Sequence, residues 1–334
     1  MSQFWVVRNV SATEFRAQAG AYVIGVPQPT AISGWIHAWL RGIAKKAGVE
    51  LGCDTRFVYA VDRFDDGGGL SRNPLSEFGA LKARAVNPAP TIDRARGSVV
   101  FSVIVEWVAT DPAMEGLLDR EKIGDAIEAS RLMGASLWID RDKDVFMEKD
   151  LGAALKKLGA SSFVLADASP DLAEALEEVV AEDPQAGTAE AFAKVLARTS
   201  DGSYRPWRVP IIAGYQKLRN TGDGGTTTGA GAKEAVAVAG YGGMAMEHGV
   251  DGQKQGPAEP EDRHAQHDHF YVEPLIGVGR FRSRASAAKA ERDGRFDGLW
   301  TLRSDSGAGM WRLVAEPCET GGNVDGGQEE PAFI

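Results

Sequence analysis

"YVIGVPQPTAISGWIHAWLRGIAKKAG" (Tyr22–Gly48) decides how the chain begins to fold. Pro27 and Pro29 forbid a helix before Thr30, and Thr30 or Ser33 can cap one. From there Ile32, Trp35, Ile36, Trp39, Leu40 and Ile43 recur at helical spacing. Gly48 ends the pattern.

Strands are predicted on either side of this helix. "QFWVVRNV" (Gln3–Val10) precedes it and is rich in β-branched and aromatic residues. "RFVYAVDRF" (Arg56–Phe64) follows and alternates like a strand, and "GGGLSRNPL" (Gly67–Leu75) reads as a loop. "GSVVFSVIVEWV" (Gly97–Val108) is the clearest strand of the chain, and "EGLLDREKIGDAIEASRLMG" (Glu115–Gly134) is a second amphipathic helix. "SSFVLAD" (Ser161–Asp167) is another strand, flanked by charged helical segments that run to about Arg198. Strand, helix, strand, strand, helix, strand is the ferredoxin-like order. Many RNA-binding domains use it, and so do proteins of unrelated function. The fold class expected is therefore α+β: an antiparallel sheet with helices on one face, elaborated by insertions.

"WRVPIIAGY" (Trp207–Tyr215) resumes a buried strand. Between Gly222 and Gly256 lie 11 of the 40 glycines, so this stretch and the polar residues after it read as a long mobile insertion. The expected organisation is one elaborated domain over 1–316. It carries an acidic helical insertion at about 111–200 and a glycine-rich one at about 221–267. A flexible tail is expected over 317–334.

The 334 residues are 43% hydrophobic, enough for a large core in one elaborated domain or two. No apolar run approaches the length that spans a bilayer, and the N-terminus lacks a secretory pattern. Cys53 and Cys318 make neither a disulfide framework nor a zinc pattern, which suits a reduced, cytoplasmic protein. Net charge is −10, but it is unevenly spread. Asp111–Glu190 holds 19 acidic and 8 basic residues, whereas Val278–Arg312 holds 8 basic and 4 acidic. Local sign decides what a face attracts.

"YVEPLIGVGRFRSR" (Tyr271–Arg284) concentrates the positive charge. It has no GK[ST], and neither phosphate-loop pattern fits it. Gly277 and Gly279 fit a hairpin or bulge that uses glycine's backbone freedom. Arg280, Arg282 and Arg284 recur at strand spacing, which places them on one face with Phe281 and Ser283 on the other. Such an edge suits either solvent or an RNA backbone, with Phe281 available to a base. His264, His267 and His269 match no zinc spacing, so no metal and no cofactor are expected. His37, between Trp35 and Trp39, is a packed histidine or a general base without an evident orienting partner. No hydrolase, zincin or kinase motif occurs, and no enzymatic activity is expected.

Five segments in order resemble one family. "PQPTAISGWIHAWLRGIAKK" (Pro27–Lys46) resembles its P-x-P-x-A-x-x-G-F-x-H-A-L-x-R segment. "LSRNPL" (Leu70–Leu75) resembles its R-N-P-L, and "ASRLMGASLW" (Ala129–Trp138) its R-L-A-G-G-S. "WRVPIIAGYQKL" (Trp207–Leu218) is similar to its V-P-I-x-x-G-Y, and "YVEPLIGVGRF" (Tyr271–Phe281) to its F-V-E-x-x-x-G-x-G-E-W. The family is the second Csy subunit of type I-F CRISPR surveillance complexes, a Cas-five-type member of the RAMP superfamily. Here Arg280–Phe281 replaces the family's acidic-aromatic pair, the following proline-histidine is missing, and the glycine-rich insertion lies outside the family's pattern.

The resemblance implies a RAMP-type core and a non-catalytic subunit that holds the 5′ handle of CRISPR RNA. It implies as partners the large subunit, the terminal Cas-seven-type backbone subunit and, in the assembled complex, target DNA. The arginines of the last segment depart from the family's pattern, so the RNA contacts expected here rest on this chain's own residues: Arg280, Phe281, Arg282 and Arg284 first, then Arg72 and Asn73, then Arg205, Arg208 and Lys217, with His37 as support. Two other readings stay open: a RAMP-type endoribonuclease using His37 on repeat RNA, and a subunit that only bridges proteins.

Overall fold

The structure, a computed structural model, describes residues 2–17, 23, 25–49, 55–65, 96–108, 116–197, 208–217, 272–305 and 310–316. In chain order its elements are β1 (Ser2–Arg16), α1 (Pro29–Ala47), β2 (Arg56–Asp65), β3 (Arg96–Val108), α2 (Arg120–Glu128), β4 (Arg131–Leu132), β5 (Ala135–Trp138), α3 (Arg141–Asp144) and β6 (Val145–Glu148). There follow α4 (Leu151–Lys157), β7 (Phe163–Asp167), α5 (Ser169–Glu182), α6 (Thr188–Leu196), β8 (Arg208–Lys217), β9 (Val272–Ser283), α7 (Arg284–Arg292), β10 (Trp300–Asp305) and β11 (Met310–Ala315). The glycine-rich insertion expected at 221–267 and the tail expected at 317–334 lie outside the described residues, as do Arg72, Asn73, Arg205 and the three histidines His264, His267 and His269.

The helix α1 has the predicted stripe: Ile32, Trp35, Ile36, Trp39, Leu40 and Ile43 are all buried. It starts one residue before Thr30, because proline is tolerated at the first helical position. Thr30 and Ser33 do not cap it and are buried inside it. Gln28 stands at the cap in extended backbone, and its side chain accepts from Ile212 N–H at 2.8 Å, tying the helix to β8. At the other end Gly48 adopts φ 72°, and the N–H groups of Gly48 and Val49 bond Lys45 and Ala44 carbonyls. That is the paired closure only a left-handed residue allows.

One antiparallel sheet joins the strands. β3 lies between β1 and β2, and β5 and β6 pair with different parts of β1. The neighbours thus run β5, β1, β3, β2, with α1 and α2 on one face. The Trp35 indole donates to Ser130, just past α2, at 2.7 Å. Beyond β2 the order continues β7, β9, β8, β11, β10. Because Trp300–Thr301 of β10 pairs back onto Phe57–Arg56, the strands β2, β7, β9, β8, β11 and β10 form a closed circuit.

The predicted fourth strand, Phe163–Asp167, forms but sits on the far side of β2. The strand that completes the β1–β3–β2 unit is instead β5, within a segment predicted to be helical. The helix there stops at Glu128 because Met133 and Gly134, at φ 50° and 87°, turn β4 into β5 as a two-residue hairpin.

Helices on one face is corrected by the strand alternation. Trp5, Val7, Phe57, Tyr59, Val103 and Val105 face α1 and α2, whereas Phe4, Val6, Val58, Ala60 and Ile104 face α4 and α7. Both faces of the central strands are apolar, so each needs a helical cover. Val278 of β9 packs with α5 and α6 in a third, smaller cluster.

Candidate functional site

The glycine–arginine stretch forms β9, which is not an edge: β7 pairs with one side and β8 with the other. Gly277 and Gly279 do not have positive φ. They are small because their neighbours are close. A Cβ on Gly279 would lie 2.8 Å from Leu165 Cδ1, and one on Gly277 would lie 2.8 Å from Ala213 Cβ. Glycine's small size, not its backbone freedom, is what this strand uses. Phe281 shares that face and packs on the main core.

Arg280 and Arg282 point to the opposite face, as the period of two requires. There they meet two carboxylates. Asp171 Oδ2 lies 2.6 Å from Arg208, Asp171 Oδ1 lies 3.7 Å from Arg280, and Asp297 Oδ2 bonds Arg280 and, at 2.8 Å, Arg282. The result is an alternating chain, Arg208–Asp171–Arg280–Asp297–Arg282, with three cations, two anions and one surplus positive charge. All five side chains are only 17–28% exposed. The Nε groups of Arg280 and Arg282 and Asp297 Oδ1 are buried without a hydrogen-bond partner. These arginines are tied down, and what they present outward is the residual charge.

Arg284 leaves the strand register altogether. Ser283 caps α7, its hydroxyl accepting from Ser286 N–H at 3.3 Å, and Arg284 is the first helical residue. Its Nη1 donates to Leu158 O at 2.8 Å and Lys156 O at 3.3 Å, closing the carboxyl end of α4. His37 lies half-buried on α1, which packs on the face opposite Arg280 and Arg282. Its carbonyl accepts from Arg41 at 3.4 Å. The structure therefore brings Arg208, Arg280 and Arg282 together and keeps His37 and Arg284 apart from them. Lys217 ends β8 in register with Val272.

A second polar constellation was not anticipated from the sequence. On the α4 side of the sheet, Asp62 accepts from Ser102 at 2.6 Å and from Ser162. Ser102 in turn accepts from Asn9 N–H at 3.2 Å, and Asn9 donates through Nδ2 to Asp144 at 2.7 Å. Arg8 Nε closes the set on Asp144 at 2.9 Å. Asn9, at φ 54°, makes the bulge that aims both side chains here. Burial pushes the Asp62 carboxyl above its ordinary range, against the pull of the two serine hydroxyls and Arg8. The signal in the sequence was "RN" interrupting an apolar strand at Arg8–Asn9.

Among the described residues no cluster of three or more His, Cys, Asp or Glu side chains is arranged to hold a metal. No described helix is long and apolar enough to cross a membrane. No curated protein matches the chain. The family model described as CRISPR-associated protein (Cas_Csy2) matches residues 5–313. That span takes in most of β1, α1, the hairpin after α2, and β8 through most of β11. The chain therefore belongs to the Cas_Csy2 family and is a subunit of a type I-F CRISPR Cascade complex.

Proposed function

We propose that this subunit is non-catalytic, binds the 5′ handle of CRISPR RNA and pairs with the large subunit for DNA interference, next to the terminal backbone subunit. The family match over 5–313 carries this reading. The strand order β5, β1, β3, β2 with α1 and α2 on one face supports a ferredoxin-like, RAMP-type core. In this reading the charge chain on β9 holds α5 and the loop before β10 in place. Its surplus charge is what it offers to an RNA phosphate. Phe281, packed on the core, acts as a support for Arg280 and Arg282. Arg72, Asn73, Arg205 and Lys217 enter the proposal on the sequence alone. The acidic helical segment from about 111 suits docking to a basic protein partner.

The test is co-purification of the tagged chain from cells that carry the CRISPR locus, followed by sequencing of bound RNA and identification of bound protein. A discrete small RNA together with the large subunit is the expected result. Incubation with repeat RNA in the absence of metal is the counter-test: cleavage abolished by His37→Ala would replace this reading with that of an endoribonuclease.

A further inference from the structure

Among the described residues, the helical layer over the α4 face stops partway along the central strands. It covers Phe4, Val6, Val58, Ala60 and Ile104. The Asp62–Ser102–Asn9 network marks its rim. Past that rim the register lays out one row across four strands: Trp138 of β5 opposite Ser11 of β1, Ser11 opposite Val100 of β3, and Val100 opposite Arg63 of β2. Their in-chain neighbours Leu137, Ala12, Val99 and Phe101 are buried in the other face, and Phe64 packs against it, so all four members of the row share the outer face.

Trp138 is 62% exposed, the most exposed of the large apolar residues described. Ser11 and Val100 form a low floor between it and exposed Arg63, about 14 Å away at three strand spacings. Four residues further along β3, past Ser98, Arg96 stands directly opposite Arg16. Like charges so paired repel. Glu14 reaches Arg96 at 3.5 Å. On the other flank Arg131 is opposite Ser136, two residues from Trp138 on the same side of β5. Among the described residues, four arginines against Glu14 and Asp65 leave this face positive in a chain whose net charge is −10.

The geometry points to this open sheet face as a binding site for single-stranded RNA, with Trp138 stacking a base and Arg16, Arg63 and Arg96 holding the phosphates of adjoining nucleotides. The inference rests on the RNA-binding reading above and adds a surface separate from β9. A lone exposed indole among serines and arginines suits a stacked base and a charged backbone. A protein partner would be expected to meet a broader apolar centre. The floor is too flat and too interrupted by arginine to be a general apolar docking face.

The test titrates the purified full-length chain into a fluorescein-labelled, mixed-sequence single-stranded RNA and follows anisotropy. Trp138→Ala should weaken binding by about tenfold or more, the size of a lost base stack, and Trp138→Phe should restore most of it. Arg16→Gln with Arg63→Gln should flatten the dependence of log affinity on log salt by about 0.7 per arginine. Wild-type binding with an unaltered Trp138→Ala variant overturns this site and leaves the RNA-binding reading standing. No binding by the wild type overturns both. Equal competition by duplex RNA, or loss of the large subunit with RNA affinity unaltered, also overturns it, the latter in favour of a protein contact.

Discussion

Arg208 and Arg280 stand directly opposite each other on β8 and β9, a like-charge pair in the interior of the sheet. Asp171, in the first turn of α5, makes the pair tolerable by bonding Arg208 at 2.6 Å and reaching Arg280 at 3.7 Å. Removing that carboxylate leaves three partly buried cations, Arg208, Arg280 and Arg282, with one neutraliser, Asp297. Asp171→Asn should therefore destabilise the chain by about 1–3 kcal/mol. Urea midpoints at low and high salt check this, and the loss should shrink as salt screens the repulsion.

Gly279 offers a prediction of the opposite kind. A methyl there would meet Leu165 Cδ1 at 2.8 Å and Ile211 Cγ2 at 3.2 Å. For Gly279→Ala, reduced backbone freedom in the unfolded chain returns only about 0.4–1 kcal/mol, too little to offset this clash. The expected loss is about 1–3 kcal/mol from overpacking. Leu165→Val in the same chain should recover part of it, a coupling that a double-mutant cycle of thermal or urea unfolding measures.

Some of this architecture was legible in the sequence. The α1 stripe was, because six large apolar residues at helical spacing leave one packing face and Gly48 leaves one way to end it. Strands β2, β3 and β7 were, by alternation and composition. The completion of the β1–β3–β2 unit was not. β5 has four residues and β6 has four, and segments that short carry too few residues for any period to show. Nor could the arginines be read correctly. Their period of two was real for Arg280 and Arg282, but Ser283 starts a helix, and the carboxylates that hold the cations come from Asp171 and Asp297. One lies more than a hundred residues away, and spacing along the chain says nothing about such partners.

Asp62 makes stability depend on pH. Burial raises its folded-state pKa above the unfolded value, so the folded state holds that proton more tightly. Its contribution is fully present below about pH 4, where both states are protonated. It is lost as pH rises through the raised value. Asp62→Asn keeps a polar group beside Ser102 and Ser162 and abolishes the titration. Wild-type stability relative to Asp62→Asn should fall as pH is raised from the acid side toward neutrality and then level off. A series of urea unfolding curves across that range checks it, and a flat difference would show that Asp62 titrates normally.

Arg284 separates structural from nucleic-acid roles among the arginines. Its guanidinium bonds two carbonyls at the end of α4 while its backbone opens α7, so it joins two helices of the same layer. Arg284→Met keeps the aliphatic stem and removes the donors. The Leu158 and Lys156 carbonyls then rely on water, and the expected cost is about 1 kcal/mol. RNA affinity and its salt dependence should stay as in the wild type, because a guanidinium spent on carbonyls is not offered to a phosphate. Unfolding and RNA titration on the same preparation check both halves. A lower salt slope with unaltered stability would return Arg284 to the RNA surface.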